Sequence, residues 1–150
     1  MKTSRRTQSG FTLLEILVAM VVLSIGLLGL AGLMTTSMRD NLSASHRTQA
    51  TWMAYDMIDR MRANRVGAIA GSYTMPLGAA AACTVAAPAG TLPAQDIAAW
   101  KSQLACVLPA GTGSVAVNAA TRAVTIVIQW NDSRGTQGNA AQTFQVDTQL

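Results

Sequence analysis

Arg5-Arg6-Thr7-Gln8-Ser9-Gly10-Phe11-Thr12-Leu13-Leu14-Glu15 runs without a break into an apolar stretch that stays uncharged through Met38. From Ile16 to Met34 there are 19 residues, nearly all apolar, with Ser24 the main polar intrusion. As a helix rising about 1.5 Å per residue they reach roughly 28 Å, close to the ~30 Å hydrocarbon core of a bilayer. Lys2, Arg5 and Arg6 precede the stretch. Positive charge on that flank predicts a cytoplasmic N-terminus, with the remainder of the chain exported. The pattern therefore reads as one membrane-spanning helix followed by an exported portion.

The whole-chain numbers agree once they are divided the same way. The 150 residues suit a single core, and 12% charged residues fall well below the usual share for a soluble domain, about 25%. The formal charge of +4 comes from 11 Lys and Arg against seven Asp and Glu. Setting aside Lys2, Arg5 and Arg6 leaves 11 − 3 = 8 basic residues against seven acidic ones, or +1. That balance is no polybasic footprint, so no nucleic-acid partner is expected.

Glu15 is the anomaly in the apolar stretch. A carboxylate at the head of a spanning helix costs a few kcal/mol unless it has a partner or sits at the boundary. One reading is a boundary residue favoured by the positive end of the helix dipole. The other follows if the chain is cut after Gly10: Phe11 then carries a new α-amino group, and a neighbouring subunit's Glu15 could pair with it. Here the hexad Gly10-Phe11-Thr12-Leu13-Leu14-Glu15, behind Arg5-Arg6 and ahead of a long apolar run, resembles the class III leader of type IV pilins and pseudopilins. The resemblance implies that prepilin peptidase cleaves after Gly10 and methylates Phe11, with Glu15 as the assembly glutamate. It also implies that the apolar helix stays with the mature protein.

A conventional secretory signal is the competing reading. Gly29-Leu30-Ala31 offers small residues for cleavage after Ala31, which would discard Phe11 and Glu15 and release a periplasmic domain. Gly26, Gly29 and Gly32 recur at three-residue spacing, near one side of a helix. Close helix packing or local melting explains them, and so does the ordinary tolerance of spanning helices for glycine.

Beyond Met38 the helix is expected to continue as an amphipathic stalk. Leu42, Ala50, Met53 or Ala54, Met57 and Met61 recur at helical spacing, with Arg39, Arg47, Asp56, Arg60 and Arg62 mostly off that stripe. Asp56 and Arg60 are an acid-first i,i+4 pair, and Gly67 reads as the stop. A helix from about Phe11 to Arg65 would be roughly 80 Å long. The methionines read as filler against a sheet, and the terminal arginines as a solvated helix end.

The segment Ala54-Tyr55-Asp56-Met57-Ile58-Asp59-Arg60-Met61-Arg62-Ala63-Asn64-Arg65, with Trp130-Asn131-Asp132-Ser133-Arg134, resembles PilV-type minor pilins, the type IV pilus modification proteins. That resemblance implies an α+β, pilin-like fold: a long N-terminal helix, its first half transmembrane, packed against a small antiparallel sheet. It implies partnership with other major and minor pilins through the helix, residence in the inner membrane before assembly, and a place in a surface pilus. A tip adhesin, surface attachment and twitching motility follow from the same resemblance.

The expected organisation is a leader over 1–10, a transmembrane and assembly helix over 11–38, the amphipathic half over 39–66 and an exported head over 67–150. Residues 67–93, rich in Ala, Gly and Pro, read as a loop. Ile97, Trp100 and Leu104 predict a short helix over 94–105. Val124, Ile126, Ile128 and Trp130 alternate, as do Phe144, Val146, Thr148 and Leu150, and 114–118 supplies a third strand. The polar 131–140 segment would cross an exposed edge. Export exposes Cys83 and Cys106 to oxidising conditions, which predicts a disulfide closing a loop of 106 − 83 + 1 = 24 residues. Pilins commonly close a C-terminal loop in this way; this pair lies earlier and reads as a structural staple.

Nothing in the sequence points to catalysis, a cofactor or a metal. His46 stands without a Cys or carboxylate cluster near it in sequence, and Cys83 and Cys106 are not in a Cys-x-x-Cys arrangement. Gly111-Thr112-Gly113-Ser114 lacks the lysine of a phosphate loop and reads as a turn. Two other readings share parts of the pattern. A type II secretion pseudopilin has the same leader and helix, and a bitopic membrane binding protein outside any filament has the span and the exported head.

Overall fold

The computed structural model describes residues 10–84, 87 and 89–150, so Lys2, Arg5, Arg6 and the rest of the expected leader ahead of Gly10 lie outside the described residues. Helix α1 runs Leu13–Ala63, α2 Arg65–Ile69 and α3 Leu92–Val107; the strands are β1 Thr112–Asn118, β2 Ala123–Trp130 and β3 Gln142–Gln149. The chain divides into two compact units, with the boundary between Met38 and Arg39.

In the first unit the helix starts on Thr12. The Glu15 N–H donates to Thr12 O at 3.1 Å and lies 3.3 Å from Thr12 Oγ1, as expected of a threonine N-cap. Ser24, Thr35 and Thr36 turn their hydroxyls back onto the carbonyls of Met20, Ala31 and Gly32 at 2.7, 3.0 and 3.2 Å. The polar intrusions thus satisfy themselves on the helix, which is what a lipid solvent requires. None of the most apolar window of α1 is buried, and the helix is long and apolar enough to cross a membrane.

In the second unit, α1 packs against a three-stranded antiparallel sheet of order β1-β2-β3, the expected α+β, pilin-like arrangement. Ala50, Ala54, Met57, Ile58 and Met61 are buried on α1, while Leu42 of the expected stripe remains 47% exposed. Val124, Ile126, Ile128 and Trp130 fill the other side from alternate positions of β2, as strand periodicity demands. Trp100 of α3 closes the core, its Nε1–H donating to Met53 O at 2.8 Å. Around β1, Thr112 starts the strand two residues earlier than 114, and α3 extends two residues beyond the expected helix at each end.

Two expectations are corrected. Gly67 does not stop the long helix: α1 ends at Ala63, and Gly67 lies inside α2, donating its N–H to Asn64 Oδ1 at 3.4 Å. A Cβ at residue 67 would stand 2.8 Å from Asn64 Nδ2, so the glycine serves the cap. The Gly111–Ser114 stretch is not a turn, because Thr112 onward is strand. A Cβ on Gly113 would overlap the ring of Trp100, and one on Gly111 would overlap Leu104 O, so these glycines admit α3 onto β1. The 131–140 segment is exposed apart from Asp132 and half-buried Gly135, and it folds around Asp132, which is only 4% exposed.

Candidate functional site: the helix N-terminus and the polar clusters of the head

Gly10, Phe11 and Glu15 lie together at the start of α1. Gly10 is not in the left-handed region, and nothing lies within 4 Å of a Cβ built on it. The fold itself therefore has no need of glycine there. Phe11 is 81% exposed and shares a shallow apolar groove with Glu15, Ile16, Ala19, Met20 and Leu23. Positions 11, 15, 19 and 23 follow the i,i+4 row of a helix, so one carboxylate stands in an otherwise apolar strip. Its place in the first turn also puts it at the positive end of the helix dipole.

The head holds two polar clusters. In the first, Ser43 Oγ donates to Asp132 Oδ2 at 2.5 Å, and His46 Nδ1 lies 3.5 Å from Asp132 Oδ1. The same residue shapes its loop through the backbone: the Asp132 N–H donates to Asn139 O at 2.9 Å, and Asp132 O accepts from the Gly135 N–H at 2.8 Å. A Cβ on Gly138 would collide with that carbonyl. His46 has no carboxylate cluster near it in sequence, and the fold brings it a single carboxylate across 86 residues. Ser43 and His46 bond to opposite oxygens of one carboxylate, and no hydrogen bond joins them among the described residues. Through this one carboxylate the cluster fastens the 131–140 loop to helix α1.

The second cluster joins α1 to α3. The expected Asp56–Arg60 pair forms at 2.9 Å, and Arg60 also reaches Asp96 Oδ1 and Gln103 Oε1, each at 3.4 Å. Tyr73, fully buried, donates its hydroxyl to Asp96 Oδ2 at 2.7 Å and accepts from Asn64 Nδ2 at 3.3 Å. Burial, and then the hydrogen bond to Asp96, push the Tyr73 phenol above its ordinary value, because both disfavour the phenolate. On β3, hydrogen bonds from Thr125 and then Gln145 hold the Asp147 carboxyl below the usual range.

Cys83 and Cys106 are joined as a disulfide, with Cα atoms 4.6 Å apart. Ser102 Oγ, one turn before Cys106 on α3, bonds to Thr84 O, so the segment around Cys83 is held to α3 twice. Among the described residues no group of three or more His, Cys, Asp or Glu side chains gathers in metal-binding proximity.

Sequence reasoning missed Asp132, Asp96 and Tyr73. Asp132 stood within the Trp130–Arg134 motif and could have been singled out there; Asp96 and Tyr73 carried no signal. Comparison with known families places the N-terminal segment: residues 5–31 match the prokaryotic N-terminal methylation motif. That match supports a type IV pilin-like structural protein. It implies processing by prepilin peptidase and pilin–pilin assembly, and with the apolar helix it fits anchoring in the inner membrane. No curated protein and no solved structure matches the chain.

Proposed function

We propose that the chain is a minor pilin of the PilV type, incorporated into a type IV pilus or priming its assembly. Prepilin peptidase cleaves after Gly10 and methylates the new Phe11 terminus. The observation that carries this reading is the methylation motif running into a helix whose apolar side chains are exposed from Leu13 to Met34. Such a surface needs lipid or other helices, and a filament supplies the second when the subunit leaves the first. A glycine that the fold itself does not require is consistent with recognition of Gly10 by a second protein.

Glu15 then has a defined task. On leaving the bilayer it pairs with the Phe11 ammonium of a neighbouring subunit, which offsets the desolvation an unpaired carboxylate would suffer. Glu15→Ala is expected to reduce incorporation into pili while leaving membrane insertion and head folding intact. Adhesion and twitching motility would follow from a position at the pilus tip alongside an adhesin.

N-terminal sequencing with mass spectrometry of sheared pili tests the proposal. The expected result is a chain beginning at N-methylated Phe11 in the pilus fraction. A mature start at Gly32, or uncleaved protein in cells with active peptidase, would sink it. Loss of surface pili on deletion, with protein secretion intact, separates the pilus subunit from a type II secretion pseudopilin.

A further inference from the structure

The chain finishes the two edges of its sheet differently. At β1, Met75 pairs with Val115 through both backbone groups, at 2.9 and 3.0 Å, and Thr112 Oγ1 donates to Gly78 O at 2.8 Å. The chain thereby covers part of that edge itself. β3, the opposite edge, pairs with β2 over eight consecutive residues with no bulge. Among the described residues its backbone has no partner beyond β2 except the side-chain amide of Gln142, 3.5 Å from Thr143 O.

Eight residues make a long edge, about 26 Å, against the usual strand of about five or six residues. Exposed edges normally carry lysine, proline or a bulge, because unpaired N–H and C=O groups template association. Gln142–Gln149 contains no Lys, Arg or Pro. Its one charge, Asp147, is taken up by Thr125 Oγ1 at 2.6 Å and Gln145 Nε2 at 2.9 Å. That carboxylate is tied to the face of the sheet and does not guard its edge.

A groove opens between α1 and the start of β3, lined by Arg47, Thr48, Thr51, Trp130, Thr143 and Phe144. Arg47 is its sole charge and makes no ion pair among the described residues. The Thr48 and Thr51 hydroxyls are already committed to Ala44 O and Arg47 O. An added strand would direct alternate side chains toward α1, on the face shared with half-buried Phe144 and Val146.

We propose that β3 accepts an extended strand from a partner polypeptide as a fourth strand of the sheet, with an acidic side chain of that strand seated in the groove against Arg47. Main-chain hydrogen bonds supply the affinity and the groove supplies the selectivity, as in strand addition generally. A second copy of this chain is the poorer occupant. Its own β3 carries Phe144, Val146 and Thr148 on the face toward α1 and Asp147 on the other, so it brings no carboxylate to Arg47.

The test uses the full chain in detergent micelles and fluorescent eight-residue peptides read by anisotropy. One peptide alternates valine and threonine, with a glutamate replacing a central valine; a second carries lysine at that place; a third is the first with alternate backbone nitrogens methylated. Binding of the glutamate peptide is expected, with the lysine peptide about tenfold weaker and the methylated peptide silent. Arg47→Glu, at an exposed position that spares the core, should reverse the order of the first two. Equal binding of the methylated peptide, indifference to peptide charge, or no binding up to about 1 mM would overturn the proposal. So would self-association of the chain abolished by Gln145→Lys, which would assign the edge to a second copy.

Discussion

Tyr73 is the residue at which three elements meet. Its hydroxyl stands between Asp96 of α3 and Asn64, the residue separating α1 from α2, and Arg60 of α1 bridges to the same Asp96. A phenol raised above its ordinary value of about 10 has a definite consequence for stability. The folded state holds the proton more tightly than the unfolded chain. Its contribution is therefore fully present below pH 10 and is lost as pH rises through the higher folded value. Denaturant midpoints should be flat on the neutral side and fall above pH 10. Tyr73→Phe should lower stability by about 0.5–1.5 kcal/mol at pH 7 and flatten the alkaline fall. A wild-type profile that stays level through pH 11 would refute the assignment.

Gly113 makes a separate case at the same scale. It pairs with Ile128 across the ladder while the Trp100 ring covers it, leaving no space for a methyl group. Gly113→Ala is expected to cost about 1–3 kcal/mol, as overpacking does, although alanine suits a strand better than glycine. Thermal unfolding followed in the near-ultraviolet, where the buried Trp100 and Trp130 report, checks this. Unchanged or raised stability would mean that the ring moves aside freely.

At the scale of elements, the glycines of α1 invite the opposite argument. Nothing lies within 4 Å of a Cβ built on Gly26, Gly29 or Gly32, so the fold gains no packing in return for up to about 1 kcal/mol of helix propensity at each. Any benefit they bring comes from helices outside the chain, the alternative being the ordinary tolerance of spanning helices for glycine. Replacing all three with alanine should leave membrane insertion and head unfolding unchanged, or stiffen the helix slightly, while lowering filament incorporation. Equal incorporation would return these glycines to ordinary tolerance in a spanning helix. The elements themselves were legible where a period existed. Nineteen residues from Ile16 to Met34, nearly all apolar, marked the first part of α1, and Val124, Ile126, Ile128 and Trp130 marked β2. The stretch 111–114 has the turn-like composition Gly-Thr-Gly-Ser, whereas what demands glycine there is a tryptophan ring 13 residues upstream of Gly113. Asp132 with His46, and Tyr73 with Asp96, were not legible as pairs for a related reason. A single polar contact across tens of residues leaves no repeat for periodicity to detect.

At the scale of the whole molecule, the two units draw on different sources of stability. The first, among its described residues, has its own backbone hydrogen bonds and no buried side chain, and its apolar surface suits a lipid solvent. The second relies on the core around Met57, Ile126 and Trp100, in which Ala50 and Ala54 are fully buried, and on the Cys83–Cys106 bond. Between Gly78 and Thr91 the chain offers few large side chains to bury, so cross-linking contributes what packing there does not. The chain-entropy argument assigns a 24-residue loop about 3–4 kcal/mol. That is a large share of the roughly 5–15 kcal/mol that holds a domain folded. Reduction, or Cys83→Ser with Cys106→Ser, should therefore shift cooperative unfolding of the head by about that amount in detergent-solubilised full chain. Far-ultraviolet helicity from the first unit should persist through the transition, because lipid-like solvent and local hydrogen bonds are untouched by the bond's loss. A single transition in which the apolar helix melts together with the head would show that the two units share one cooperative core. An unshifted transition on reduction would show instead that Trp100, Leu104 and their neighbours hold α3 in place without the bond.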